Sequence, residues 1–190
     1  ENYPKDVFLS NMNLLGTHDT PRILTALVDD FDGSREEKAS RRLSPQLLAV
    51  AQERLLMASV LQYTLPGSPS LYYADETCME GYKDPFNRGC YPWGKENKEL
   101  LDFYRTMGRI RRENPVFQKG YFFPISSMLG CVAYRRHDEN GDVMVIVNRN
   151  EHPISYRLPD YYTNSKALYG NNPENNEVQI DGCSFVLLSL

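Results

Sequence analysis

The apolar run Met12 to Gly16 breaks into the polar triplet Thr17-His18-Asp19. That pattern predicts a buried strand delivering polar side chains at its end. Thr20-Pro21, a capping hydroxyl ahead of a proline, predicts a helix start, and Ile23, Leu24, Leu27 and Val28 supply that helix with an apolar face. Asp29 to Arg42 is charge-dense and predicts a solvated loop or helix end. Ser44-Pro45 repeats the hydroxyl-proline signal and opens a helix running to about Gln62. Its apolar residues (Leu47, Leu48, Val50, Leu55, Leu56, Val60, Leu61) cover more than one face, so it is expected to be packed on most sides. Leu65-Pro66-Gly67 ends it. Leu71-Tyr72-Tyr73 predicts a second strand, with Asp75-Glu76 at its C-terminal end and a long polar loop, Thr77 to Glu96, beyond. Asn97 then caps a third helix with Leu100, Phe103, Tyr104, Met107 and Ile110 at helical spacing, and Asn114-Pro115 stops it.

From about Lys119 onward the texture becomes short β-prone runs separated by turns. Val132 to Arg136 and Val143 to Asn148 flank Glu139-Asn140-Gly141-Asp142, a hairpin signal with Asn140-Gly141 as turn core. Ile154 to Leu158, Lys166 to Tyr169, Glu177 to Ile180 and Ser184 to Leu188 are further strands, and Gly170 to Pro173 is a loop. This tail reads as a small all-β sandwich. Strands with polar residues at their C-terminal ends, alternating with helices, describe a β/α barrel or a doubly wound sheet. A whole eight-unit barrel takes roughly 200 residues or more. The expectation is therefore an α+β chain: the last two β/α units of a (β/α)8 barrel over residues 1–117, then the sandwich over 118–190.

Composition narrows the classes. Hydrophobic residues make up 41% and charged residues 24% of the 190, enough for a packed core and against wholesale disorder. Twenty-one basic against 25 acidic residues leave a net charge of −4. Such a chain lacks the electrostatic footprint for nucleic acid or an anionic membrane, and no apolar stretch approaches the roughly 20 residues of a membrane helix. The first residue is Glu1 rather than Met, which predicts a processed protein or a piece of a longer one, and no signal peptide is legible. Cys78, Cys90, Cys131 and Cys183 form no C-x-x-C pair, and only His18, His137 and His152 could assist them, so no metal site and no cofactor are expected. Free thiols in a reducing, cytoplasmic compartment are one reading. A disulfide between Cys78 and Cys90, which bracket one loop, is the other.

Three groups of residues carry candidate chemistry. His18-Asp19 at a strand end, with Arg22 nearby, can hydrogen-bond neighbouring hydroxyls of a sugar ring, and the carboxylate can strengthen its bond as positive charge develops in an oxocarbenium-like transition state. The plainer alternative is a capping cluster at the helix start. Asp75-Glu76 invites an acid/base reading, against a cap or a buried polar network. Asp84-Pro85-Phe86-Asn87-Arg88 sets an acid and a cation four apart, able to clamp a polar ligand while Tyr91 or Trp93 packs on a sugar face; a surface ion pair is the alternative. His137 and His152 are assigned no function.

Asn13 to Arg22, NLLGTHDTPR, resembles the motif after the seventh barrel strand of α-amylase-type glycoside hydrolases, nearest to the neopullulanase and cyclomaltodextrinase branch. Gly67 to Glu76 resembles that family's eighth-strand motif, usually G-x-P-x-x-Y-Y-G-D-E, and Asp84 to Trp93 its following loop, often D-P-D-N-R-R-x-x-P-W. Order and spacing agree, and the β tail is similar to the family's C-terminal sandwich, so the resemblance covers essentially the whole chain. Ala74 stands where the family usually has glycine, Phe86 where an acidic residue is common and Gly89 where a basic one is.

The resemblance implies roles. Asp19 matches the third family carboxylate, the transition-state stabiliser. His18 matches the neighbour that bonds the sugar in the reactive subsite, Arg22 belongs with them in substrate binding, and Asp84 and Arg88 match contacts to a glucose further along the donor side. Asp75 and Glu76 become architectural. The parent protein would cleave α-glucosidic bonds of starch, maltodextrin, pullulan or cyclodextrin by a retaining double displacement, with an α-glucan oligosaccharide as partner and no nucleic acid or membrane. Such enzymes need a nucleophile and an acid roughly 5–5.5 Å apart. In the family these follow the fourth and fifth strands, upstream of Glu1, so the fragment alone is expected to be inactive. A non-catalytic carbohydrate-binding or scaffold protein on the same fold is the alternative, and a small self-sufficient enzyme using Asp19 with Glu76 a third. With strand edges and apolar helix surface uncovered, the isolated fragment is expected to self-associate.

Overall fold

The computed structural model describes residues 3–190. In chain order it contains α1 (Lys5–Leu9), β1 (Met12–Leu14), α2 (Ile23–Ala26), α3 (Arg35–Ser40), α4 (Pro45–Thr64), β2 (Ser68–Ser70), α5 (Lys98–Glu113) and α6 (Val116–Lys119). Seven strands follow: β3 (Tyr121–Met128), β4 (Cys131–Asp138), β5 (Gly141–Asn148), β6 (Ile154–Arg157), β7 (Lys166–Tyr169), β8 (Glu177–Ile180) and β9 (Ser184–Ser189). The class is α+β. Contacts divide the chain into two compact units. One comprises Met12–Gln62 and Pro69–Gly108; the other takes the described residues up to Asn11, Tyr63–Ser68 and Arg109–Leu190.

In the first unit β1 pairs with β2, and Gln62 ties them together. Its Nε2 donates to Asn13 O at 2.9 Å and Ser70 O at 2.8 Å. The first strand is not buried as expected: Met12 is 64% and Leu14 47% exposed, because β1 has β2 as its one strand neighbour among the described residues. The second strand forms three residues earlier than the β-prone Leu71-Tyr72-Tyr73. The chain turns at Tyr72, whose carbonyl accepts from Asp75 N at 3.2 Å, because its two tyrosine rings are drawn against Arg22. Nor does Thr20 cap α2. The cap residue is Arg22, with no side-chain bond, while Thr20 Oγ1 accepts from Thr17 N at 3.2 Å and closes a turn instead.

The charge-dense segment holds a helix that the charge pattern hid. Ser34 and Glu37 form a reciprocal capping box that starts α3. Helix α4 buries Ala51, Leu55 and Val60 but leaves Leu47 and Val50 exposed, so its first turns are not packed all round. Asn97 caps α5, its Oδ1 accepting from Leu100 N at 3.0 Å. Leu100, Phe103, Tyr104 and Met107 on that helix are buried, and Tyr104 OH accepts from Ser59 Oγ of α4 at 2.7 Å.

In the second unit five antiparallel strands run in the order β3-β4-β5-β9-β7, and β6 pairs with β8 in a second sheet. Between them lies a core of Ala133, Met144, Ile146, Tyr156, Leu158, Val178, Ile180, Val186 and Leu188. The β4–β5 hairpin sits one residue off its expected turn. Asp138 pairs with Gly141, so Glu139-Asn140 is the loop and Gly141 already belongs to the ladder. On the opposite face Arg136 is fully buried, giving Nη1 to Thr64 O at 2.8 Å and Nη2 to Gly120 O at 2.9 Å. Burial, with the charge of Arg111 nearby, pulls its pKa down to about 10.

Candidate functional site

The site in the first unit has a buried floor and an exposed tip. The floor starts from Arg22, which has no exposed surface although it is the longest cation of its motif. Its Nη1 donates to Asp75 Oδ1 at 3.2 Å and to Tyr73 O, and its guanidinium carbon lies 4.3 and 4.4 Å from the ring centres of Tyr72 and Tyr73. Arginine's planar, weakly hydrated head group suits such an aromatic enclosure. Asp75 is buried with it, and desolvation raises its pKa to about 6 against the lowering effect of Arg22. The carboxylate presses on the end of the first strand: a Cβ on Gly16 would stand 2.6 Å from Asp75 Oδ2. Between the tyrosines and Asp75, Ala74 is buried in the left-handed region at φ 67°, a conformation glycine adopts without cost.

The tip is built on this floor. Asp19 N donates to Thr17 Oγ1 at 3.2 Å, which bends the loop so that its side chains face outward. His18 Nε2 lies 3.3 Å from Asp19 Oδ1, with both side chains exposed. From the segment after the floor, Arg88 Nη2 approaches Asp19 Oδ1 at 4.0 Å, and Arg88 Nε pairs with Asp84 Oδ1 at 2.7 Å. Four of the residues singled out in the sequence thus form one exposed row, His18–Asp19–Arg88–Asp84. The fifth, Arg22, does not join it; it is enclosed in the floor. Asp75 is locked by Arg22, and one carboxylate oxygen of Glu76, Oε2, is buried. Neither carboxylate joins the exposed row.

Sequence reasoning passed over Asn87. It is fully buried, and its Nδ2 donates to His18 O at 2.8 Å and Thr20 O at 2.7 Å. The available signal was its place between Asp84 and Arg88, the two residues of that segment read as sugar contacts. Thr25 was missed too: its hydroxyl accepts from Gly81 N at 2.9 Å, while Arg22 N donates to Gly81 O at 2.8 Å. Tyr91 and Trp93 pack at a tilt of 46° with ring centres 4.4 Å apart, and Trp93 is 81% exposed. A cavity of about 340 Å³ opens beside this segment, lined by residues including Lys38, Arg41, Tyr82 and Phe86 but by none of the exposed row. All four cysteines are free thiols, so Cys78 and Cys90 are not joined. Among the described residues no group of three or more His, Cys, Asp or Glu could hold a metal ion, and no helix is long and apolar enough to cross a membrane.

No protein-family profile matches the chain. Among curated proteins it is 40% identical over 142 residues to an amylopullulanase of Thermoanaerobacter thermohydrosulfuricus, a match covering 74% of this chain and 9% of that protein. It is 32% identical over 161 residues to a cyclomaltodextrinase of Geobacillus thermopakistaniensis, covering 83% of this chain and 24% of the relative. The chain belongs with the α-amylase-type glycoside hydrolases. It spans less than a quarter of the length of these two family members. In fold it aligns over 99% of its length with 37% of the family's debranching enzyme from Nostoc punctiforme, with a TM-score of 0.79 at 22% identity.

Proposed function

We propose that the chain is the C-terminal portion of a retaining hydrolase acting on α-glucosidic bonds of starch, maltodextrin, pullulan or cyclodextrin. In this reading residues 1–117 contribute the last two β/α units of a (β/α)8 barrel and residues 118–190 a sandwich domain. One observation carries it: Asp19 stands exposed between His18 and Arg88 in a single charged row, on a loop held from beneath by buried polar groups. A carboxylate so placed accepts hydrogen bonds from two sugar hydroxyls. Those bonds strengthen as the ring acquires positive charge, so they favour the transition state over bound substrate. His18 steadies the same sugar, Asp84 and Arg88 hold a glucose further along the chain, and Arg22 supports the row from the floor.

The nucleophile and the acid would come from the rest of the enzyme. The isolated chain should therefore release no reducing sugar from starch, pullulan or cyclodextrin, and should self-associate through the uncovered surfaces of its barrel portion. Reducing-sugar assays on the purified chain test this. Turnover that persists through purification and disappears in Asp19→Ala would replace this reading with a self-sufficient enzyme.

A further inference from the structure

We propose that Asn87 is the positioning residue of Asp19, acting through the backbone on either side of it; this rests on the reading of Asp19 given above. The two carbonyls that Asn87 meets belong to His18 and Thr20, the residues immediately flanking Asp19. Two carbonyl oxygens facing one side chain call for two N–H donors on one head group. A primary amide supplies them; a carboxylate supplies none and a hydroxyl one. With its side chain fully buried and bonds of 2.8 and 2.7 Å, Asn87 fixes the peptide unit that enters Asp19 and the one that leaves Thr20, and so brackets the backbone that sets the direction of the Asp19 side chain.

The turn that carries Asn87, Phe86–Arg88, also carries Arg88, which lies 4.0 Å from Asp19 and is paired with Asp84. The sugar-contacting pair and the catalytic loop are therefore joined at one buried amide. Gly81 fixes the same turn from the other side: a Cβ there would stand 2.4 Å from Phe86 O, so the turn packs closely against backbone and has little room to shift. Asp19 itself is exposed and receives nothing from Asn87 directly, so loss of the amide would act by letting the carboxylate wander. A displacement of about 1 Å at a reacting group is worth on the order of 10²-fold in rate.

The test is a mutant cycle on the protein that carries this chain, with Asn87→Ala, the isosteric Asn87→Asp, Asp19→Asn and the double variant Asp19→Asn/Asn87→Ala. Each Asn87 variant should lower kcat by on the order of 10²-fold with KM little changed. The double variant should turn over no more slowly than Asp19→Asn alone, because a residue acting only through Asp19 has nothing left to act on. Losses that multiply, or Asn87 variants with near-normal kcat while Asp19→Asn is dead, overturn the positioning role and leave the reading of Asp19 standing. A near-normal kcat in Asp19→Asn removes that reading, and the positioning role falls with it. Should the Asn87 variants fail to fold, hydrogen exchange of the Asn87 side-chain amide in the unmutated protein decides the matter. Both protons should be strongly protected, and rapid exchange of either contradicts the proposal.

Discussion

In the sandwich, Met144, Ile146 and Leu188 have no exposed surface and pack in the apolar core between the two sheets. In the unit that carries Asp19, Met12, Leu14, Leu47, Val50 and Leu71 are exposed, while Arg22, Asp75 and Asn87 are buried. The sandwich is thus held by apolar burial, which tolerates many residues of the right size and pattern. The site-bearing unit takes much of its local order from buried polar groups that bond specific backbone carbonyls and a carboxylate, which few other residues could do.

Substitution in the sandwich core should have the largest effect on stability. Leu188→Ala removes a fully buried core side chain from the interior strand β9 and should cost about 2–5 kcal/mol in denaturant unfolding. A loss below about 1 kcal/mol would mean the sandwich does not depend on burial as described.

The floor of the site should show a pH signature that the sandwich core lacks. Asp75 is raised to about 6 from an ordinary 3.8, by burial foremost. A carboxyl whose folded pKa exceeds its unfolded value binds more protons when folded. Its contribution to stability therefore falls as pH rises from about 4 to about 6, and is level beyond. Measured against Asp75→Asn, the unmutated chain should lose up to about 3 kcal/mol of relative stability across that window. A difference that stays flat, or runs the other way, would show that Arg22 holds Asp75 ionised throughout.

The smallest effect is expected at β1. Met12→Ser should change unfolding stability by no more than about 0.5 kcal/mol, because Met12 is already in solvent. If exposed apolar residues drive self-association, light scattering at micromolar concentration should give a mass above that of the monomer, and Met12→Ser should lower it. A clean monomer for the unmutated chain would remove that part of the proposal.

The sandwich was legible in its sequence because short β-prone runs and the turn signals between them report the same thing there. The runs around Val143, Ile154, Lys166, Glu177 and Ser184 all became strands. Even so, the hairpin turn slipped by one residue, since Gly141 is used in the ladder and not at the turn. In the site-bearing unit, propensity misled wherever tertiary contacts outweighed it. Tyr72 and Tyr73 read as a strand, but they enclose Arg22. Thr20 read as a cap, but it closes the turn that presents Asp19. The row His18, Asp19, Asp84 and Arg88 was recoverable from its motifs. The burial of Arg22 and the double bond from Asn87 were not, because both depend on residues 50 or more positions away in the chain.

The proposed stabilisation of the transition state of α-glucan hydrolysis rests on Asp19. Its most direct test is kcat for Asp19→Asn in the protein that carries this chain, measured beside the unfolding midpoint. Asparagine keeps the size of the side chain and removes its charge, so folding should be unchanged. The variant's kcat should be lower by on the order of 10³-fold or more, since the lost interaction belongs chiefly to the transition state. A variant that folds equally well and turns over at a near-normal rate would contradict it.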